Sequence, residues 1–322
     1  MSHLTDAAVA SGATSEPTVP VREWKDFLPP PALWRIGLTT ALVATLYHHE
    51  LYRLGYVWWH KGDWSHGWLV PLFSLYFVYI SKSRLFAARI RTNLLGALVL
   101  VGALLLYFVS IWPLGMGYPK SLSLVLAIGG VVFWLCGWQV LKICAFPIAY
   151  LLLAMPLPEG IYVQLTMPLR MFATKVTTVL LQVAVPGLDV TPSGTVIDFL
   201  YMGEPGRLNV AEACSGMRSL IGLSALGVAI AFLTPRPAYQ RLILLVACIP
   251  IGVFCNIIRV FITSLLQVFG QDELSRGTAH SLLGLVTFIL ALSLFSLLGY
   301  VMSNLFLDEP EDGAKDDPES AL

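Results

Sequence analysis

Charge is scarce in this sequence. Of 322 residues, 12% are Asp, Glu, Lys or Arg and 57% are hydrophobic, and the mean hydropathy is +0.74. A soluble domain carries about 25% charged residues, so a water-bathed globule is excluded. The formal net charge is zero, which removes the basic excess that nucleic-acid binding needs. Paired cysteines are also missing. Cys136, Cys144, Cys214, Cys248 and Cys255 include no C-x-x-C, which argues against a zinc knuckle or a thioredoxin-like site. The first 31 residues are polar and end in PPP. They lack the basic-then-apolar order of a signal peptide and read as a disordered tail.

What is present is a series of apolar blocks. Segments near 33–51, 67–81, 94–115, 121–138, 141–157, 215–234, 241–266 and 281–306 approach the ~20 residues that cross a bilayer. The expectation is an all-α integral membrane protein: a polytopic bundle of about eight transmembrane helices over 32–307, flanked by the tail 1–31 and an acidic tail 308–322. Basic residues set its orientation. Lys82, Arg84, Arg89 and Arg91 follow the second block, Lys142 separates the fourth and fifth, and Arg236 and Arg241 follow the sixth. These loops belong on the cytoplasmic side, with both termini. Between 158 and 210, Leu169, Phe172, Val176, Val179, Leu180 and Val183 recur at helical spacing opposite Arg170, Thr174, Thr177, Thr178 and Gln182. That pattern predicts an interfacial amphipathic helix, with a ninth span as the alternative, against which Lys175 and the threonines weigh. Val190-Thr191, a PSG turn and Thr195–Ile197 predict a small extracytoplasmic hairpin roofing Cys214.

The chemistry concentrates at three places. AEACSGMRSL at 211–220 sets Glu212, Cys214, Ser215 and Arg218 at the mouth of an apolar run. A thiol near a helix start gains thiolate character from the free N–H groups and the dipole. Arg218 follows one turn later. CNIIRVFIT carries Asn256 and Arg259; an intramembrane arginine is costly and marks function by default. It stays protonated, so it suits an oxyanion better than a proton relay. GTAHSLLGL carries His280, which titrates near neutrality. With the expected spans, all three reach the outer rim at one depth. Each has a plain alternative: Cys214 as packing, Arg259 as a structural partner of Glu212 or of headgroups, His280 as a cap.

Taken together, AEACSGMRSL, NIIRV and AHSLLGL, in that order, with SHGWLVP at 65–71, resemble the exosortase/archaeosortase family over about 57–300. The resemblance implies a membrane cysteine transpeptidase or peptidase that processes membrane-anchored proteins bearing a C-terminal sorting signal: a short motif, a transmembrane helix and a basic cluster. It implies Cys214, Arg259 and His280 as the catalytic trio, with Glu212, Ser215, Arg218, Asn256 and His66 in support, and no cofactor. Transfer passes through a thioester at the outer face of the cell inner membrane.

Two other features need a reading. His48, His49, Glu50, His60 and His66 cluster before the second block, but HHE is not H-E-x-x-H, and no metal is expected there. The tail 308–322 has seven acidic residues against a single basic one, Lys315, and is expected to attract the basic cluster of a substrate. The competing function is a membrane scaffold or transporter for extracellular polysaccharide, with Arg259 holding an anionic lipid-linked sugar.

Overall fold

A computed structural model describes residues 30–210, 216–234, 236–271 and 277–305, with 30–32, 216–219, 277–281 and 305 described by backbone alone. Its helices are α1 (Pro30–Leu46), α2 (His48–His60), α3 (Leu69–Ile80), α4 (Lys82–Ala87), α5 (Leu94–Ile111), α6 (Gly117–Cys136), α7 (Trp138–Tyr150), α8 (Glu159–Ala184), α9 (Gly216–Leu233), α10 (Ala238–Val268) and α11 (Gly277–Leu305). Strands β1 (Asp189–Ser193), β2 (Val196–Tyr201) and β3 (Glu204–Asn209) form one antiparallel sheet in that order. Residues 1–29 and 308–322 of the two tails lie outside the described residues, while Pro30 and Pro31 begin α1.

The expected eight spans are corrected. Among the described residues, four helical segments are long and apolar enough to cross a membrane: Leu94–Ile111, Gly117–Cys136, Ala238–Val268 and Leu282–Asn304. The pair Trp138–Ala154 and Glu159–Ala184, bent by 79°, makes five if it counts as one span. Breaks inside the first, second and fifth apolar runs account for three of the four runs that fall short; the sixth is the unbroken helix Gly216–Leu233, of which only Leu220–Leu233 is described with its side chains. The first run stops at Leu46 and restarts at His48. The second begins as a 3-10 turn, Gly62–Trp68, and leaves α3 only 12 residues, about 18 Å of helix against a ~30 Å core. The fifth passes through a second 3-10 turn, Leu151–Ala154, into extended Met155.

The segment expected as an interfacial helix is α8, and its polar stripe has an unexpected partner. Thr166, Thr174, Thr177 and Thr178 are buried, while Phe172, Val179 and Val183 are exposed. The threonines face protein, because α8 packs along α10. An apolar surface outside and hydroxyls inside suit a lipid environment. The hairpin expected at 190–197 is β1 and β2, and β3 is an addition. Met202 and Gly203, both at positive φ (52° and 85°), make the tight turn into it; such a two-residue turn matches the twist of a hairpin.

The packing defines two rims. At one, Phe146 of α7 and Phe232 of α9 stack with their rings 3.8 Å apart, and Phe77 of α3 meets both edge-on. The basic segments gather around this end. Leu85 and Ala88 pack with Val140 and Cys144, the backbone N–H of Arg89 donates to Gln139 Oε1 at 2.9 Å, and Arg236 Nη2 donates to Ser303 Oγ at 2.8 Å. At the other rim, Trp58 Nε1 donates to the carbonyl of Ala154 at 2.8 Å and His66 Nε2 to that of Leu153 at 3.1 Å. The sheet sits here as well: Val190, Ile197, Leu208 and Val210 bury their side chains with Leu181, Val185, Val260 and Val268 of α8 and α10.

A lateral unit of α1, α2, α5 and α6 completes the bundle around Tyr47, Leu54, Leu100, Tyr107 and Leu124. Glu50, almost fully buried, accepts from Arg53 Nε at 2.8 Å and from Ser121 Oγ at 2.6 Å. This satisfied cluster fastens α2 to α6, so the HHE carboxylate is occupied by structure. The α5–α6 contact is close: a Cβ on Gly96 would overlap the backbone of Trp134, and one on Gly130 would lie 2.8 Å from Leu100 N. Gly96→Val is therefore expected to cost about 1–3 kcal/mol or more. Thermal unfolding in detergent checks this, and an unchanged midpoint would refute the close contact.

Candidate active site

Arg259 lies in the second half of α10 and is 4% exposed. Its guanidinium rests on Gly284 of α11: a Cβ there would come within 3.4 Å of Cζ and Nη2. A Cβ there would stand in van der Waals contact with the guanidinium, so the charged group lies directly on that helix. Thr263 Oγ1, one turn on, donates to the Arg259 carbonyl at 2.9 Å. His280 stands on the backbone of α11 one turn before Gly284, so the two positions share a helical face. Two turns after His280 on that face is Phe288, which meets α9. A Cβ on Gly222 of α9 would sit 3.8 Å from the Phe288 ring and 3.9 Å from His66 Cβ. Thus α9, α10, α11 and the Gly62–Trp68 turn converge at the rim opposite the basic segments.

Glu212, Cys214 and Ser215 lie outside the described residues, and Arg218 is described by its backbone in α9 only. The chain on either side of 211–215 is described. Val210 is fully buried, donates its N–H to Thr195 O at 2.9 Å, and packs with Val260, the neighbour of Arg259. After Gly216, α9 crosses α10 closely, with Leu220 against Gly252. Gly252 precedes Arg259 by two turns. Asn256, one turn before Arg259, has a buried Oδ1 with no hydrogen-bond partner.

His66 is held by its bond to Leu153. Donation from Nε2 leaves Nδ1 as the acceptor of the neutral ring, and that atom is buried without a hydrogen-bond partner. Burial pushes the imidazole pKa down, partly offset by the backbone of Leu153 and of Asp63, the latter near Nδ1 but without hydrogen-bond geometry. Beside it, Tyr162 Oη of α8 donates to Asp63 Oδ2 at 2.7 Å, and the Trp64 ring lies between Tyr162 and His66, about 6 Å from each. Sequence reasoning missed Asp63, Tyr162, Gly222 and Gly284. The small residue four positions after His280 was a readable signal for Gly284; nothing in sequence linked Asp63 to Tyr162.

Among the described residues, no three His, Cys, Asp or Glu side chains come together as metal ligands. The described cysteines are free thiols; Cys144, Cys248 and Cys255 are buried and Cys136 is partly buried. Cys248, for instance, is wedged against Gly227.

Residues 58–297 match the family described as Transmembrane exosortase (Exosortase_EpsH). That is about three-quarters of the chain, and the protein belongs to the transmembrane exosortase family, a family of membrane cysteine transpeptidases. It is a multi-pass membrane protein. No curated protein and no solved structure matches it.

The His66 arrangement carries a pH dependence. Its folded pKa is lowered below the unfolded value, so the neutral ring contributes stability that is complete above about pH 6.5 and is lost as pH falls through the folded pKa. Unfolding of wild type and His66→Gln in detergent is expected to converge as pH drops from 7.5 towards 5. A difference between them that does not change with pH would refute the buried neutral imidazole.

Proposed function

We propose that this exosortase is a cysteine peptidase/transpeptidase that cleaves C-terminal sorting signals of exported, membrane-anchored proteins, with Cys214 as nucleophile. The observation that carries the reading is the Arg259 guanidinium lying on Gly284, one turn from His280, while the described chain on both sides of Cys214 packs on α10. The positive-inside tendency assigns the basic rim to the cytoplasm. The rim with Arg259 and the sheet then faces the extracytoplasmic side of the cell inner membrane, where an exported substrate is exposed.

In this mechanism the Cys214 thiolate attacks the scissile carbonyl carbon, forming the C–S bond. Arg259 stabilises the oxyanion, a role suited to a cation that cannot give up its proton. His280 gives a proton to the departing amine nitrogen as the C–N bond breaks, leaving a thioester. An amine or water then attacks the thioester, loses a proton to His280 and returns Cys214 as thiolate. Glu212, Ser215, Arg218, Asn256 and His66 shape the pocket; the unpartnered Asn256 Oδ1 can accept from a substrate amide N–H.

The test is a reporter with a tagged extracytoplasmic domain, a candidate sorting motif, an apolar helix and a basic cluster, co-expressed with the full chain and read by mass spectrometry. Cys214→Ala and Cys214→Ser are expected to abolish cleavage. Arg259→Lys is expected to lower kcat about 100-fold or more. Cleavage that survives Cys214→Ser with a modest loss would favour the scaffold or transporter reading instead.

A further inference from the structure

We infer that β3 is the edge on which the substrate's extended segment docks, adding a fourth strand to the sheet. This rests on the reading of Cys214 as nucleophile and says how the peptide is presented to it.

Among the described residues, no strand pairs with the outward side of β3 at Pro205 and Arg207. The bond from Val210 N–H to Thr195 O makes those residues a bonded pair. With the register Val196↔Asn209 to Tyr201↔Glu204, alternation assigns Leu208, Gly206 and Glu204 to the β2 ladder. The two-residue turn at Met202-Gly203 agrees, since it is closed by Tyr201 and Glu204. The backbone groups of Pro205 and Arg207 therefore point away from β2. Pro205 stands where its missing N–H costs no ladder bond, as edge prolines do. Glu204, Pro205 and Arg207 are exposed, and among the described residues no backbone hydrogen bond engages the outward side of Arg207.

The opposite edge is closed. α8 packs beside β1, and Gln182 Nε2 donates to the outward carbonyl of Val190 at 3.3 Å. A peptide can therefore add to the β3 side and not to the β1 side. Beside β3, the outer face of the sheet holds a shallow groove of about 420 Å³ lined by Thr191, Asp198, Leu200, Pro205 and Arg207, large enough for a side chain of the added strand.

The occupant follows from the chain itself. Cys214 is seven residues past Arg207, an upper reach of about 23 Å at 3.3 Å per residue. An acyl-transfer site needs its substrate extended, with the carbonyl exposed. Strand addition supplies that form through main-chain bonds that accept many side chains. The matching ligand is the extended stretch of a membrane-anchored protein just outside its anchor.

The test uses the full chain in lipid nanodiscs with the tagged reporter. Arg207→Pro and Arg207→Ala both lose the side chain, but only proline loses the outward N–H. Arg207→Pro is expected to raise KM roughly fivefold above that of Arg207→Ala, with kcat alike. Independently of folding effects in that variant, benzoylphenylalanine in place of Pro205, in the Cys214→Ala background, is expected to crosslink to reporter residues beside its anchor. Equal KM values, or reporter retained on the protein without a crosslink at 205, overturn the docking edge while leaving the reaction intact. Loss of any Cys214 dependence in wild-type cleavage overturns the reaction itself, and the docking edge with it.

Discussion

A guanidinium that cannot lose its proton, buried in an apolar helix bundle, dictates much of the surrounding structure. An arginine at the centre of a membrane helix costs about 2.5–3.5 kcal/mol on insertion scales, so the chain must give Arg259 a polar destination. Its guanidinium lies against Gly284 of α11. The face of α10 leading to it is small or polar: Gly252, Asn256, Arg259, Thr263. Leu220 of α9 closes on that face at Gly252. A Cβ at Gly252 would meet the tip of the Leu220 side chain, and one at Gly284 would touch the guanidinium.

The same rule orders the rest of the bundle. Polar groups turn inward and find partners, and apolar surface faces out. The threonine stripe of α8 lies on α10, and the Glu50–Arg53–Ser121 cluster fastens α2 to α6. Helices meet closely where glycine permits, at Gly96, Gly130 and Gly252, which is how packing is gained when water supplies no driving force between helices. The family match begins at Trp58, the residue whose indole ties α2 to the turn at Ala154. Helix α1 and most of α2 lie before it and dock on the α5–α6 pair, with the rings of Tyr47 and Tyr107 4.4 Å apart. The matched part therefore contains every element that meets at the Arg259 rim.

The sheet joins that rim to the membrane part. Its inner face shares a core with α8 and the end of α10, and its last strand runs directly into 211–215. An apolar anchor through Val210 and Val260 thus sits between the strands and Arg259. Placing strands, a buried cation and a helix start at one rim suits chemistry on an extended chain emerging from a membrane.

The membrane class was legible from composition, because no soluble core can absorb so much apolar sequence with so little charge. That Arg259 and the His280 position belong to neighbouring helices, with Arg259 lying on Gly284 one turn after position 280, is a tertiary contact. Span number was not legible. Run length registers apolarity but not the break at Tyr47, the 3-10 turns at Gly62–Trp68 and Leu151–Ala154, or the 79° bend into α8. Nor was the third strand, whose turn at Met202-Gly203 lacks the usual Asn-Gly signal. The sequence by itself determined that the chain lives in a membrane, because that follows from transfer energies of single side chains. Only the tertiary structure decided that Gly284 receives Arg259, that Tyr162 reaches Asp63 and that the α8 threonines face inward. Those are contacts between segments far apart in the chain, selected by shape and by the need to satisfy polar groups where water is absent.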